Sequence, residues 1–253
     1  MAQFFSAIAA LLLVAAVSGC VSGRSQNTPK PNPASYHYQM GLSYLGERNF
    51  SAALFDLTEA DKLDPENPDV LYNLGLAFMG KKRPDLAEAK FLKSIELKDG
   101  FSAARNDLGV AYLEMKRWDS AIKQFKIVKD DLFYGNNENA SINLGLAYLG
   151  KGEYAKALEE LQAVAALNPR NPTVRLSLGR VWFAMDKNDQ AIVEYKKALD
   201  IYGDYGAVHY YMGQAELKRN RIDAAQASFN ETVRLIPDSE LGRSALNYLE
   251  LIK

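Results

Sequence analysis

Residues Ile142 to Leu161 read INLGLAYLGKGEYAKALEEL. Their apolar residues recur three and four apart, the spacing of one helical face. Yet Gly145 stands in the middle of the first half, where glycine costs a helix about 1 kcal/mol relative to alanine. The same text returns as YQMGLSYLGERNFSAALFDL from Tyr38, YNLGLAFMGKKRPDLAEAKF from Tyr72 and NDLGVAYLEMKRWDSAIKQF from Asn106. It returns again as LSLGRVWFAMDKNDQAIVEY from Leu176 and YYMGQAELKRNRIDAAQASF from Tyr210. The aligned glycines are Gly41, Gly75, Gly109, Gly145, Gly179 and Gly213, spaced by 34, 34, 36, 34 and 34 residues. A fixed period in this range is the signature of stacked helix–turn–helix units, each too small to bury its own apolar face.

Fixed residue types follow each glycine. Twelve positions on stands an alanine: Ala53, Ala87, Ala121, Ala157, Ala191 and Ala225. Four further stands a large residue, Leu57, Phe91, Phe125, Leu161, Tyr195 or Phe229, and three beyond that a smaller one. This pattern predicts that the first helix of each unit nests, through its glycine, against the alanine of the second. Proline closes second helices at Asp64-Pro65, Asn168-Pro169 and Ile236-Pro237.

These motifs resemble the tetratricopeptide-repeat family from about Ala34 to Ser239. Departures are Glu216 in place of an aromatic residue, and no terminal proline after the second, third and fifth units. The resemblance implies an all-α fold, a right-handed solenoid of six helix–turn–helix repeats at 34–67, 68–101, 102–137, 138–171, 172–205 and 206–239. The segment 240–253 reads as an amphipathic capping helix, with Leu241, Ala245, Leu246 and Leu249 on one face. Such arrays need a cap whose outer side is polar.

The same resemblance implies a concave groove lined by repeat positions 2, 5, 9, 12 and 13, of which 5, 9 and 12 are the informative ones. In repeats one to four these are Tyr38, Leu42 and Leu45; Tyr72, Leu76 and Met79; Asn106, Val110 and Leu113; and Ile142, Leu146 and Leu149. Repeats five and six place Arg180 and Gln214 at position 9. A nearly continuous apolar row of this kind predicts an apolar peptide or amphipathic helix as ligand. Aliphatic residues at position 9 argue against the acidic chaperone C-termini that some family members hold through Lys and Asn. The alternative is that these side chains pack between neighbouring helices.

The N-terminal end is different in kind. MAQFFSAIAALLLVAAVSGC carries an apolar run from Phe4 to Val17, shorter than the roughly 20 residues of a membrane-spanning helix, and then small residues. No Lys or Arg precedes the run. Val17-Ser18-Gly19-Cys20 resembles a bacterial lipobox, which implies a signal peptide over 1–19 and a covalent lipid on Cys20, the single cysteine of the chain. A non-lipidated secretory signal and an uncleaved anchor are the other readings. Residues 20–33 contain VSGRSQNTPKPNP, a tether without an apolar face. Val21, where an aspartate would resemble an inner-membrane retention signal, favours the periplasmic face of the outer membrane.

Motifs for chemistry are missing from the sequence: there is no phosphate-binding P-loop, no HExxH and no nucleophile elbow. His37 and His209 both occupy repeat position 4, where packing is the expected role. The expectation is a non-enzymatic chain with no cofactor beyond the lipid and no metal. A net charge of −1 offers no basic stripe for nucleic acid. Six repeats behind a lipobox, with a two-residue slip in KDDLFYGNNENASINLGLAYL from Lys129, resemble the type IV pilus biogenesis lipoproteins of the PilF, PilW and Tgl kind. That resemblance implies a pilotin-like role, binding the pilus secretin and promoting its multimerisation and outer-membrane localisation. A general periplasmic adaptor for envelope assembly or peptidoglycan machinery, and a structural scaffold in an envelope complex, are the alternatives.

Overall fold

A computed structural model describes residues 32–135 and 137–252. The signal segment, Cys20 and the tether up to residue 31 lie outside the described residues. Among the described residues there are thirteen α-helices and no strand. Six are first helices: α1 Pro33–Gly46, α3 Pro68–Gly80, α5 Ser102–Glu114, α7 Asn137–Lys151, α9 Pro172–Ala184 and α11 Gly206–Lys218. Their partners are α2 Phe50–Leu63, α4 Pro84–Leu97, α6 Trp118–Lys129, α8 Tyr154–Leu167, α10 Asn188–Ile201 and α12 Ile222–Leu235, and α13 Glu240–Leu251 closes the series. No described helix is long and apolar enough to cross a membrane.

Local sequence fixes the helix ends. Asn67 and Asn171 cap α3 and α9, each accepting two backbone N–H bonds through its side-chain oxygen, with a proline as the first helical residue. Within each pair the turn needs one residue in the left-handed region. Arg48, Lys82, Lys116, Asp186 and Asn220 adopt it with φ of 57–59°, and Gly152 supplies it in the fourth pair. A side chain there costs about 1–2 kcal/mol. The next N–H reaches back five residues to close the first helix, as in Asn49 N to Tyr44 O and Arg117 N to Tyr112 O, both 2.8 Å.

The pairing of helices generates curvature. Each first helix touches its own second helix and the next first helix, while each second helix also touches the following first helix. The backbones of the second helices stay apart, and long side chains bridge them, Lys90 to Asp61 at 2.9 Å and Lys129 to Glu160 at 2.7 Å. First helices therefore form a continuous inner layer and second helices a fanned outer one, so the first-helix face is the concave side. Between the layers lie Leu57, Phe91, Phe125, Leu161, Tyr195 and Phe229, all fully buried.

Here the expected glycine contact is corrected. A Cβ on Gly145 would lie 2.7 Å from Leu161 Cγ, and one on Gly75 would lie 2.4 Å from Phe91 Cε1. The glycine makes room for the large side chain of the second helix, four residues beyond the alanine, and that side chain fills the hollow. Ala157 is itself fully buried but is not among the atoms nearest that site. Buried Ser94 and Thr232 are satisfied by carbonyls at the start of their own first helices, Pro68 at 2.7 Å and Gly206 at 3.4 Å.

The C-terminal cap also departs from expectation at one residue. Leu241, Ala245, Tyr248, Leu249 and Ile252 pack against α11 and α12, and the Tyr248 ring stacks on Phe229 at 4.8 Å. Leu246, expected on the same face, is exposed.

Candidate functional site: the concave face

The inner layer brings the expected groove residues onto one surface, with one exception. Tyr38, Leu42, Leu45, Tyr72, Leu76, Met79, Asn106, Val110, Leu113, Leu146 and Leu149 are half-buried. Most of the apolar ones lean on the core beneath while keeping one side open, so groove and inter-helix packing are the same side chains in two roles. Ile142 is the correction: it is 3% exposed and belongs to the core. Its short branched side chain sits wholly inside the layer, whereas the tyrosines at the equivalent position in the first two repeats reach through it.

A polar ladder, which the apolar reading missed, runs beside the leucines. Tyr38 Oη accepts from Asn73 Nδ2 at 3.2 Å, Tyr72 Oη donates to Asp107 Oδ2 at 2.8 Å, and Asn143 Nδ2 donates to Asn106 Oδ1 at 3.3 Å. Each bond joins one first helix to the next and fixes their register. Its sequence signal is the pairing of position 5 with position 6 one repeat later, visible only once the repeats are stacked. Burial pushes the Tyr72 hydroxyl well above its ordinary pKa, and the Asp107 charge adds to the shift.

Burial likewise raises the Asp107 pKa, against the opposing pull of the Tyr72 and Asn106 hydrogen bonds. The folded chain then holds that proton more tightly than the unfolded chain. Its stability falls as pH rises from the unfolded carboxyl value near ~4 toward the raised folded value. Asp107→Asn keeps an acceptor for Tyr72 and removes this loss. The variant is expected to melt higher than the parent at pH 7 and alongside it at pH 3. A lower melting point at pH 7 would mean that the charged hydrogen bond outweighs the desolvation.

Leu113, Leu146 and Leu149, with Trp118 and Glu114, line a recess of about 300 Å³ whose rim carries Arg180. The apolar row ends there. The Arg180 guanidinium lies 5.1 Å from the Tyr211 ring, and Gln214 Nε2 donates to the hydroxyls of Tyr210 and Tyr248. Glu216, the residue out of pattern in the sixth repeat, is buried and accepts from Arg221 Nη1 at 3.2 Å. His37 Nδ1 lies 2.7 Å from Asp56 Oδ1 within the first repeat, and His209 Nε2 lies 3.0 Å from the Gly203 carbonyl in the turn that ends the fifth, so each is held by a structural contact. The concave face can therefore bind an apolar side chain or helix in the recess and a polar group beside Arg180.

Comparison with known proteins agrees with this architecture. The chain is similar to the type IV pilus assembly protein PilF of Pseudomonas aeruginosa, 26% identical over 172 residues, covering 66% of this chain and 68% of that protein. It is also 31% identical over 120 residues to the RNA polymerase-associated protein CTR9 of Saccharomyces cerevisiae, of which it spans 11%. Among solved structures, PilW, described as a widely conserved type IV pilus biogenesis factor, superposes with a TM-score of 0.72 at 18% identity, covering 84% of this chain and 98% of that one. Tetratricopeptide-repeat models match residues 38–100, 142–206 and 183–247. With more than half of its length matched and its helices paired and stacked as described, the chain belongs to the tetratricopeptide-repeat family.

Proposed function

We propose that this chain is a lipid-anchored, non-catalytic assembly factor that binds the type IV pilus secretin and promotes its multimerisation at the outer membrane. The observation that carries the reading is the similarity to PilF across two thirds of both chains. The half-buried leucine row and its recess support it, because they suit an apolar segment of a partner rather than a reacting small molecule. Repeat proteins of this kind act through protein–protein contacts, and the concave face presents a surface of that type. Cys20 carries the lipid and holds the chain on the periplasmic face.

Two measurements test the proposal. Purified from membranes, the chain should bring the secretin with it. Recovery of peptidoglycan enzymes or barrel-assembly components instead would replace this reading with the general adaptor. Cys20→Ser should accumulate as unprocessed precursor, and its labelling by a palmitate analogue should fall to background. Labelling equal to the parent would refute the anchor.

A further inference from the structure

The step between the third and fourth repeats carries the most exposed apolar pair of the array. Leu132 is 88% exposed and Phe133 is 99% exposed. They sit on an ordered turn. Asp131 accepts from Ser102 Oγ at 2.5 Å and from the Phe133 N–H at 3.0 Å, and its carbonyl accepts from Asn137 Nδ2 at 3.0 Å. Held by these three bonds, the turn places two large apolar side chains in solvent, an arrangement that calls for a partner. Leu167, at the next turn along, is 89% exposed.

These turns share one edge of the array with the end that leads to the tether. Every connection between one pair and the next lies there, beside the starts of the first helices. Lys98 pairs with Asp69 at 3.1 Å, Asn168 donates to Glu138 at 3.2 Å, and Arg234 pairs with Asp204 at 3.4 Å. Helix α1 runs alongside α3, joined by the Tyr38–Asn73 bond, so Pro33 enters the array at this same edge. Residues 21–32 separate it from Cys20. Twelve residues reach at most about 40 Å. The Leu132–Phe133 turn lies three repeats along, about 30 Å at a helix-packing spacing of about 10 Å.

We infer that this edge rests on the lipid surface, with Leu132 and Phe133 dipping into the interface as a second contact beside the acyl anchor. The inference rests on the lipidation of Cys20 proposed above. The apolar pair alone is a weak and reversible membrane signal, so the acyl chains hold the protein and the pair sets how it lies. Asp130 and Asp131 flank the pair, so the contact is apolar and independent of anionic lipid. It fixes orientation: the edge faces the membrane and the groove lies side-on to it, open to a partner embedded in the same bilayer.

The native tryptophans provide the control. Trp118 opens α6 and Trp182 lies near the end of α9, both at the opposite edge, a helix length of about 20 Å away. The full, acylated chain carrying Phe133→Trp would be reconstituted into phosphatidylcholine vesicles containing brominated lipids. Position 133 should show blue-shifted emission that shallow bromines quench, in low and high salt alike, while the parent chain with its two native tryptophans remains unquenched. Flotation with the vesicles reads the anchor separately. A chain that floats with position 133 unquenched overturns the edge contact alone. A chain that does not float overturns the anchor and the contact together. A blue shift that appears without vesicles as protein concentration rises would mean that a second copy covers the pair, and would also overturn the proposal.

Discussion

Leucine at Gly75 is expected to lower the thermal unfolding midpoint, followed by circular dichroism, by roughly 2–12 °C. The first added carbon alone would lie 2.4 Å from the Phe91 ring, and that ring is fully buried between Tyr72, α4 and the core. It cannot swing away without displacing its neighbours, so the remaining atoms of leucine force the two helices apart. Overpacking of this kind typically costs about 1–3 kcal/mol. Each kilocalorie shifts the midpoint by about 2–4 °C in a domain of this size. Gly46→Ala is the matched control, since a Cβ there meets nothing within 4 Å and the change should be neutral or slightly stabilising. An unchanged midpoint for Gly75→Leu would mean that the hollow is not filled as described.

Under the proposed function, Leu146→Glu is expected to weaken binding of a secretin segment at least tenfold while leaving helicity intact. Leu146 forms one wall of the recess and keeps one side open to the groove. Burying a leucine-sized contact is worth roughly 1.5–3 kcal/mol, and 1.4 kcal/mol is already tenfold. The new carboxylate faces solvent and Arg180 in the free protein, but it would be desolvated beneath an apolar ligand. In cells the same variant should lose secretin multimers, with monomer accumulating. Leu42→Glu, outside the recess, should weaken binding less. Equal losses would spread the contact along repeats one to four. Retained binding in both variants would move the partner off the concave face, and unfolding of Leu146→Glu would assign the residue to the core.

Periodicity made the fold legible because one short text is repeated six times, and each repetition constrains the next. What it could not supply was the pairing between helices. Spacing says that Gly145, Ala157 and Leu161 matter, but only the crossing of α7 and α8 decides that Leu161 and not Ala157 occupies the hollow. The left-handed turn residues were hidden for a related reason. Arg48, Lys82 and Lys116 are not residue types that announce positive φ, and the surrounding helices impose it on them. At the site, the leucine row was readable from repeat positions. The Tyr–Asp and Asn–Asn bonds join residues 35 to 37 apart and require the stack itself. Ile142 shows the limit of equivalence: the same repeat position is buried in the fourth repeat and, as Tyr210, beneath the cap in the sixth, but half-buried as Tyr38 and Tyr72 in the first two.

The fanned outer layer has a mechanical consequence. Each outer helix packs on the next inner helix, and ion pairs join Asp61 to Lys90 and Lys129 to Glu160, so bending that changes the width of the groove compresses the inner layer and shears the contacts between inner and outer layers, as in a laminated spring. Tightening around a guest compresses that inner layer, and releasing the guest relaxes it. The Tyr72–Asp107 and Asn106–Asn143 rungs and the leucines beside them lie in that inner layer. A partner seated in the proposed groove would press on the same surface whose contacts stiffen the array.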